Sequence, residues 1–154
     1  MSRPTTDVKS INAVLPDNPE DMAWYLRDAH NYITYIENAH LGKLVLERDD
    51  ISAKIDLIES AVKLRRDSFL GSKLLDIPKE YLKTVGLTTQ YVDYTIYPEE
   101  TGRANESLSE LKSRLSDVES KIVAWRLVKE QYERAISTGT VILAWTKATL
   151  RLER

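Results

Sequence analysis

The two histidines are the only imidazoles in the chain, so metal binding or acid–base catalysis would be sought there first. His30 and His40 lie in a region with helical periodicity, where their spacing turns the side chains about 80° apart. Glu37 and His40 have the Glu-x-x-His spacing by which di-iron helix bundles supply two ligands to one metal. A complete site needs a second Glu-x-x-His pair. The last helix carries Glu130 and Glu133 but no histidine, so the second pair would have to come from a symmetric dimer. We interpret His40 as a histidine at a packed or solvent edge of a helix, and predict no metal site.

Other catalytic chemistry lacks a recognisable arrangement. The chain has no cysteine, which excludes thiolate nucleophiles, thiolate metal sites and disulfides. It contains no Gly-x-Ser-x-Gly motif, no glycine-rich phosphate loop and no Ser-x-x-Lys signature in a catalytic setting. The acidic pairs Asp49-Asp50 and Glu99-Glu100 are adjacent in sequence, so their side chains diverge on a helix or point into solvent. We therefore predict a protein that is not an enzyme, with no catalytic residues and no cofactor.

The charge balance gives no general attraction to nucleic acid or anionic lipid. Lys and Arg number 22 against 24 Asp and Glu, for a net charge of -2. The compact basic cluster of Lys63, Arg65 and Arg66 is offset by Glu59 and Asp67 beside it. Protein partners are therefore favoured over nucleic acid.

The sequence predicts neither a membrane span nor a secretion signal. The longest uncharged stretch, residues 135–146, is about twelve residues long, whereas a spanning helix needs roughly twenty. Residues 1–15 have no continuous apolar stretch of signal-peptide length. We expect a soluble protein, located in the cytoplasm or within a macromolecular assembly.

A long helix is predicted after an N-terminal arm. Residues 1–17 contain prolines and no helical period, and are interpreted as an extended arm. Asn18 can cap a helix, with Pro19 at its first position and Glu20 near the positive end of its dipole. Gly71, or Asp76 with Pro78, should end this helix, which gives a range of about 18–74.

Apolar residues recur in this first helix at spacings of three and four, which is typical of one buried stripe. The stripe consists of Leu26, Ala29, Ile33, Ile36, His40, Leu44, Ile51, Ile55, Ile58 and Val62. From Ile36 to Arg48 every spacing is four, and Gly42 lies within this stretch. We therefore expect a bend or packing irregularity near His40.

The middle of the chain, residues 75–103, is predicted to form a small apex. A short helix is expected from Pro78 to Gly86, where glycine suits a left-handed helix end. Residues Tyr91–Tyr97 are rich in strand-forming side chains and favour a short strand that Pro98 ends.

The last helix is predicted over about 104–152, beginning between Thr101 and Ser107. Ser107 and Glu110 have the spacing of a reciprocal capping box. A heptad pattern with one charged exception, Lys129, follows. It comprises Leu108, Leu111, Leu115, Val118, Ile122, Trp125, Lys129, Tyr132 and Ile136.

Residues 138–152 are open to either helix or strand. Gly139 weakens a helix, and Thr140–Leu143 favours a strand. We favour helix because Lys147 and Arg151 would then share one face near the negative helix end, and because the two long helices become nearly equal in length.

These elements predict an all-α protein: one helical-hairpin domain over 18–154, antiparallel and coiled-coil-like, with the short helix and strand at its apex. Its two long helices should meet along a set of residues that we call the predicted hairpin seam. The seam comprises Ile51, Ile55, Ile58, Val62, Leu108, Leu111, Leu115, Val118, Ile122 and Trp125.

Further apolar residues recur off this seam, among them Ala61 and Ala135, so each helix is expected to have more neighbours than its partner in the hairpin. Together with the apex tyrosines, they give the candidate partner contacts Leu57, Leu64, Val123, Leu127, Tyr91, Tyr94 and Tyr97. Two alternatives are that the arm and apex fold over these residues, and that the tyrosines, with Tyr81, form local core. The three tryptophans, Trp24, Trp125 and Trp145, are interpreted as helix-packing residues.

The predicted long helices and the lack of a catalytic motif together favour an oligomeric structural or assembly protein. Its long helices would bundle with copies of themselves or with partners, and a virus particle or secretion-type complex would suit such a component. The alternative is a holdase chaperone or adaptor that presents a helical hairpin to clients, as prefoldin-type hairpins do; this analogy rests on architecture alone.

Overall fold

The computed structural model describes residues 14–74 and 89–152, and these ranges are helical almost throughout and contain no strand. The all-α prediction is confirmed for this part of the chain. The predicted helix from Pro78 to Gly86, Tyr81 and residues 1–13 of the predicted arm lie outside the described residues. The elements are α1 (Pro19–Tyr35), a first π-helical turn (Ile36–Leu41), α2 (Gly42–Leu74), α3 (Thr89–Tyr91), a second π-helical turn (Val92–Ile96) and α4 (Pro98–Leu152).

Helix α1 begins where its capping residues predict. The side chain of Asn18 accepts a hydrogen bond of 2.8 Å from the backbone N–H of Glu20, which would otherwise have no partner within the helix. Pro19 occupies the first turn, where its missing N–H removes no helical bond. Glu20 and Asp21 place negative charge at the positive end of the helix dipole.

The first π-helical turn, Ile36–Leu41, confirms the predicted irregularity near His40. A π-turn accommodates an extra residue, so side chains spaced by four or five stay on one side of the helix. The rings of Tyr35 and His40, five positions apart, are accordingly 5.4 Å from centroid to centroid. Gly42 follows directly, and its backbone N–H donates a hydrogen bond to the carbonyl oxygen of Glu37. A Cβ at position 42 would lie 3.1 Å from that oxygen.

The predicted strand at Tyr91–Tyr97 is wrong, because Tyr91 ends α3, Val92–Ile96 form the second π-helical turn and Tyr97 is its C-cap. Strand propensity needs a neighbouring strand to pair with, and the described part of the chain provides none. Helix α4 also begins at Pro98, before the predicted start between Thr101 and Ser107. Proline suits a first helical position, and Glu99 follows it in the first turn, so the apparent strand breaker is a helix start.

The chain divides into two compact units, of which unit 1 contains residues 1–46 and 119–154. In its described part, α1 packs antiparallel to the C-terminal half of α4. The ring centroids of Tyr32 and Tyr132 are 4.7 Å apart in an edge-on contact. The buried core comprises Tyr25, Ala29, Tyr32, Ile36, Tyr132 and Ala135. Ala135, which the sequence pattern placed off the seam, therefore belongs to this core.

Gly139 allows a close approach between α1 and α4. A Cβ at this position would lie 2.9 Å from a methyl carbon of Leu26, 3.0 Å from the sulfur of Met22 and 3.3 Å from a methyl carbon of Leu15. The glycine therefore permits this close packing and does not end the helix, which continues to Leu152. Helix is confirmed for 138–152, the segment with mixed local preferences.

Unit 2 contains residues 47–118, where α2 packs antiparallel to the N-terminal half of α4. Ile51 and Ile55 from α2 and Val118 from α4 are buried, and Val92 of the second π-helical turn is fully covered. An ion pair joins Glu59 to Lys112 across the two helices at 3.6 Å. Residues 50–58 of α2 face residues 107–114 of α4, and residues 57–65 face residues 100–107, so the two helices run antiparallel within this unit.

Tyr25 carries a buried polar group in the core of unit 1. Its hydroxyl has no hydrogen-bond partner among the described residues, and burial raises its pKa above the ordinary value of 10.0. The pKa of Tyr132 is raised in the same direction, first by burial and then by the neighbouring tyrosines Tyr32 and Tyr25. Between pH 10 and the raised pKa, the folded chain retains protons that the unfolded chain releases, so stability falls as pH rises in this window.

We expect Gly139→Val to lower the free energy of unfolding by about 1–3 kcal/mol, because the added side chain must displace Leu26 and Met22. Gly102→Val is the matched control, since no atom lies within 4 Å of the Cβ added at this position of α4. It should raise stability by up to about 0.5 kcal/mol through helix propensity alone. Urea unfolding followed by circular dichroism measures both; equal effects of the two substitutions would contradict the close approach.

We expect Tyr25→Phe to raise the free energy of unfolding by about 1 kcal/mol at neutral pH, because it removes a buried hydroxyl without a partner. It should also reduce the loss of stability above pH 10, where the wild-type hydroxyl resists ionisation only in the folded state. Urea midpoints at pH 7 and at pH 10 to 11 test both effects. A destabilised variant with an unchanged alkaline slope would show that the hydroxyl is satisfied.

Candidate functional site

The predicted hairpin seam is distributed over both units. Ile51, Ile55 and Val118 are buried in unit 2, and Ile122 is buried in unit 1. The remaining members are partly buried: Ile58, Val62, Leu108, Leu111 and Leu115 in unit 2, and Trp125 in unit 1. Ser107 and Glu110, the predicted capping box, lie inside α4 and line a groove instead of starting the helix.

The off-seam leucines of α2 are exposed. Leu57 is 74% and Leu64 is 68% accessible to solvent, although each is a large apolar side chain. They are seven residues apart, which places them on one face of α2 within unit 2. The alternative in which the arm and apex fold over them concerns residues 1–13 and 75–88, which lie outside the described residues.

An open groove between α2 and α4 lies beside Leu57. We call it the α2–α4 groove; its volume is about 480 Å³ and it lies within unit 2. Its residues are Asp50, Ala53, Lys54, Leu57, Ile58, Ser107, Glu110, Leu111 and Arg114. Apolar side chains are flanked by charges of both signs, with Lys54 and Asp50 paired at 3.0 Å.

The apex tyrosines have different environments. Tyr91 and Tyr94 are exposed, whereas Tyr97 is half-buried between α2 side chains. The guanidinium carbon of Arg65 is 5.5 Å from the centroid of the Tyr97 ring, and the ring of Phe69 packs edge-on at 6.2 Å. Tyr97 therefore forms local core, while Tyr91 and Tyr94 remain candidate contacts.

A two-point ion pair holds the second π-helical turn against α2. Arg66 donates from Nε to Asp93 Oδ1 at 3.2 Å and from Nη2 to Asp93 Oδ2 at 2.6 Å. Both side chains are partly buried, and the hydrogen bond to Asp93 is the main cause of a raised Arg66 pKa. Since Arg65 also packs on Tyr97, two of the three cations in the basic cluster are engaged within unit 2.

Both residues of the Glu-x-x-His pair, Glu37 and His40, contact other side chains of unit 1. Lys129 donates to Glu37 at 2.8 Å, and this hydrogen bond is the main cause of a raised Lys129 pKa. The His40 ring stacks on Trp125 with centroids 3.8 Å apart and planes 8° from parallel. Lys129, the charged exception in the heptad pattern, is thus explained by its partner on the first π-helical turn. No group of three or more side chains suited to a metal ion occurs within residues 14–74 and 89–152.

Exposed apolar residues also lie along α4 in unit 1. Val123 and Leu127, predicted as partner contacts, are each more than half exposed. Trp145, predicted to be a packing residue, is 72% exposed, so that prediction is wrong. Val141 is likewise exposed although sequence reasoning did not select it; its spacing from Val123 and Leu127 along the helix was the available signal.

The described helices include none with a stretch apolar and long enough to cross a bilayer. No protein-family model matches the chain, and no curated protein or solved structure does so either. Its function must therefore be inferred from its own surfaces.

We expect Asp93→Asn to lower the free energy of unfolding by about 1–2 kcal/mol, because it weakens a partly buried, charge-assisted pair with Arg66. Asp56→Asn, at an exposed position of α2, makes the same chemical change and should alter stability by less than about 0.5 kcal/mol. Chemical unfolding of both variants tests the difference. Equal stabilities would show that the ion pair does not hold the π-helical turn.

Proposed function

We propose that the protein is a non-enzymatic structural or assembly component whose long helices bundle with further helices, in the manner of a coiled coil. One observation carries the proposal: two large apolar side chains on α2, Leu57 and Leu64, stand in solvent, and Leu57 also lines the α2–α4 groove. Burying one such side chain contributes roughly 1.5–3 kcal/mol, so leaving the pair exposed forgoes a stabilisation that a third helix would supply.

The groove supports a helix as the occupant. Its apolar side chains come from two antiparallel helices of unit 2, and its edges carry Asp50, Lys54, Glu110 and Arg114. Apolar contacts with flanking charges of both signs are the pattern by which helices in bundles select a partner and an orientation. Tyr91 and Tyr94 add exposed aromatic area in the same unit, suited to a protein contact.

The proposal predicts a defined oligomer that depends on the exposed face of α2. We expect the wild-type chain to form an oligomer of fixed stoichiometry, and Leu57→Glu with Leu64→Glu to shift it towards a smaller species because charge would be buried in the interface. Size-exclusion chromatography with multi-angle light scattering, over a hundredfold concentration range, measures both.

The matched control adds the same two charges elsewhere in unit 2. Ser109 and Ser113 are exposed on α4 and do not line the α2–α4 groove, so Ser109→Glu with Ser113→Glu should leave the oligomer intact. Circular dichroism should show equal helicity for all three proteins. A wild-type chain that stays monomeric at every concentration would refute self-assembly; a monomer that suppresses aggregation of a model client would support the holdase alternative.

A further inference from the structure

The side of α4 that faces away from the unit 1 core carries a second heptad-like pattern. Tyr132, Ala135 and Gly139 face α1, while positions on the opposite side of the helix follow one another at spacings of four and three. We call these residues the α4 outer face: Val123, Leu127, Glu130, Arg134, Ser137 and Val141. All six are exposed, and the three apolar members are each more than half accessible.

The α4 outer face is complementary to itself when a copy is laid antiparallel. Glu130 and Arg134 lie at equal distances on either side of position 132, and Val123 and Val141 do the same further out. An antiparallel pair centred at this position therefore places Glu130 against Arg134 twice and Val123 against Val141 twice. Leu127 then meets Ser137. Antiparallel heptad packing requires this alternation of the two core positions in each layer.

Charge decides the direction of pairing and the partner. A parallel pair in register would place Glu130 against Glu130 and Arg134 against Arg134, which is unfavourable. Within one chain the two side chains form only a loose contact of 3.7 Å, with the Arg134 side chain 81% exposed. Exposed pairs of this kind contribute little to stability, so both groups are free to exchange this contact for one across an interface.

We propose that the α4 outer face binds the same face of a second copy of this chain, antiparallel and centred at position 132. This inference rests on the proposed function, for which it specifies one interface. The contact spans residues 123–141, about 27 Å of helix, and is isologous, since each residue meets its counterpart twice around a twofold axis.

Charge reversal tests the pairing. Glu130→Arg and Arg134→Glu, made in separate chains, each place like charges in both central layers and should weaken self-association at least about tenfold. An equimolar mixture of the two variants restores opposite charges in both central layers and should associate as the wild type does. Analytical ultracentrifugation of each variant and of the mixture measures this. Circular dichroism of the separate variants controls for folding, because both positions are exposed.

Cross-linking tests the register independently, since the chain has no cysteine of its own. A mixture of Val123→Cys and Val141→Cys chains should form a disulfide-linked dimer on mild oxidation. Each variant alone should not, because like positions would be about 27 Å apart along the antiparallel pair. Dimers formed by Val123→Cys alone would indicate a parallel pair and overturn the inference.

The outcomes separate this interface from the broader proposal. If the wild-type chain associates but charge reversal and cross-linking have no effect, the α4 outer face is not the interface, and the proposed self-association stands without it. If the wild-type chain is monomeric throughout, both self-association and this interface are refuted.

Discussion

The contact of α1 with α4 depends on the alternation of large rings and small residues along their shared face. Tyr32 packs on Tyr132 with ring centroids 4.7 Å apart, while Ala29 is completely buried. Gly139 then lets the side chains of Met22 and Leu26 approach the α4 backbone. Because a buried core tolerates neither a void nor an added methyl group without loss of stability, this alternation fixes which side of α4 faces α1 in unit 1. The opposite side of the helix is left to solvent.

In both units, a pair of helices leaves part of its apolar surface exposed. Each helix can bury only one stripe against a single neighbour, so apolar residues elsewhere on its circumference remain in water. In unit 2 this leaves Leu57 and Leu64 exposed, and in unit 1 it leaves Val123 and Val141 exposed. Burial of apolar surface is the main favourable contribution to association. The proposed assembly is therefore based on these exposed faces.

At each of the two π-helical turns, side chains of the turn contact residues of another helix. The first places His40 between Tyr35 and Trp125 and lets Glu37 reach Lys129. Its position was predictable, because successive apolar spacings of four do not fit an undistorted α-helix. The second was not predictable from local sequence. Its strand-forming residues were misleading, and Asp93 is held by Arg66, a residue distant in sequence whose proximity only folding establishes.

The sequence by itself determined the helical character of the chain, the start of α1 at Asn18 and the periodic stripes, because capping chemistry and a period near 3.6 are local properties. Only the tertiary structure decided which apolar positions are covered. Ala135 is buried and Trp145 is exposed, the reverse of what side-chain size and the heptad pattern indicated. Periodicity shows that a helix has an apolar face. Burial of that face depends on which neighbour lies against it, and contacts between residues far apart in the chain determine that neighbour.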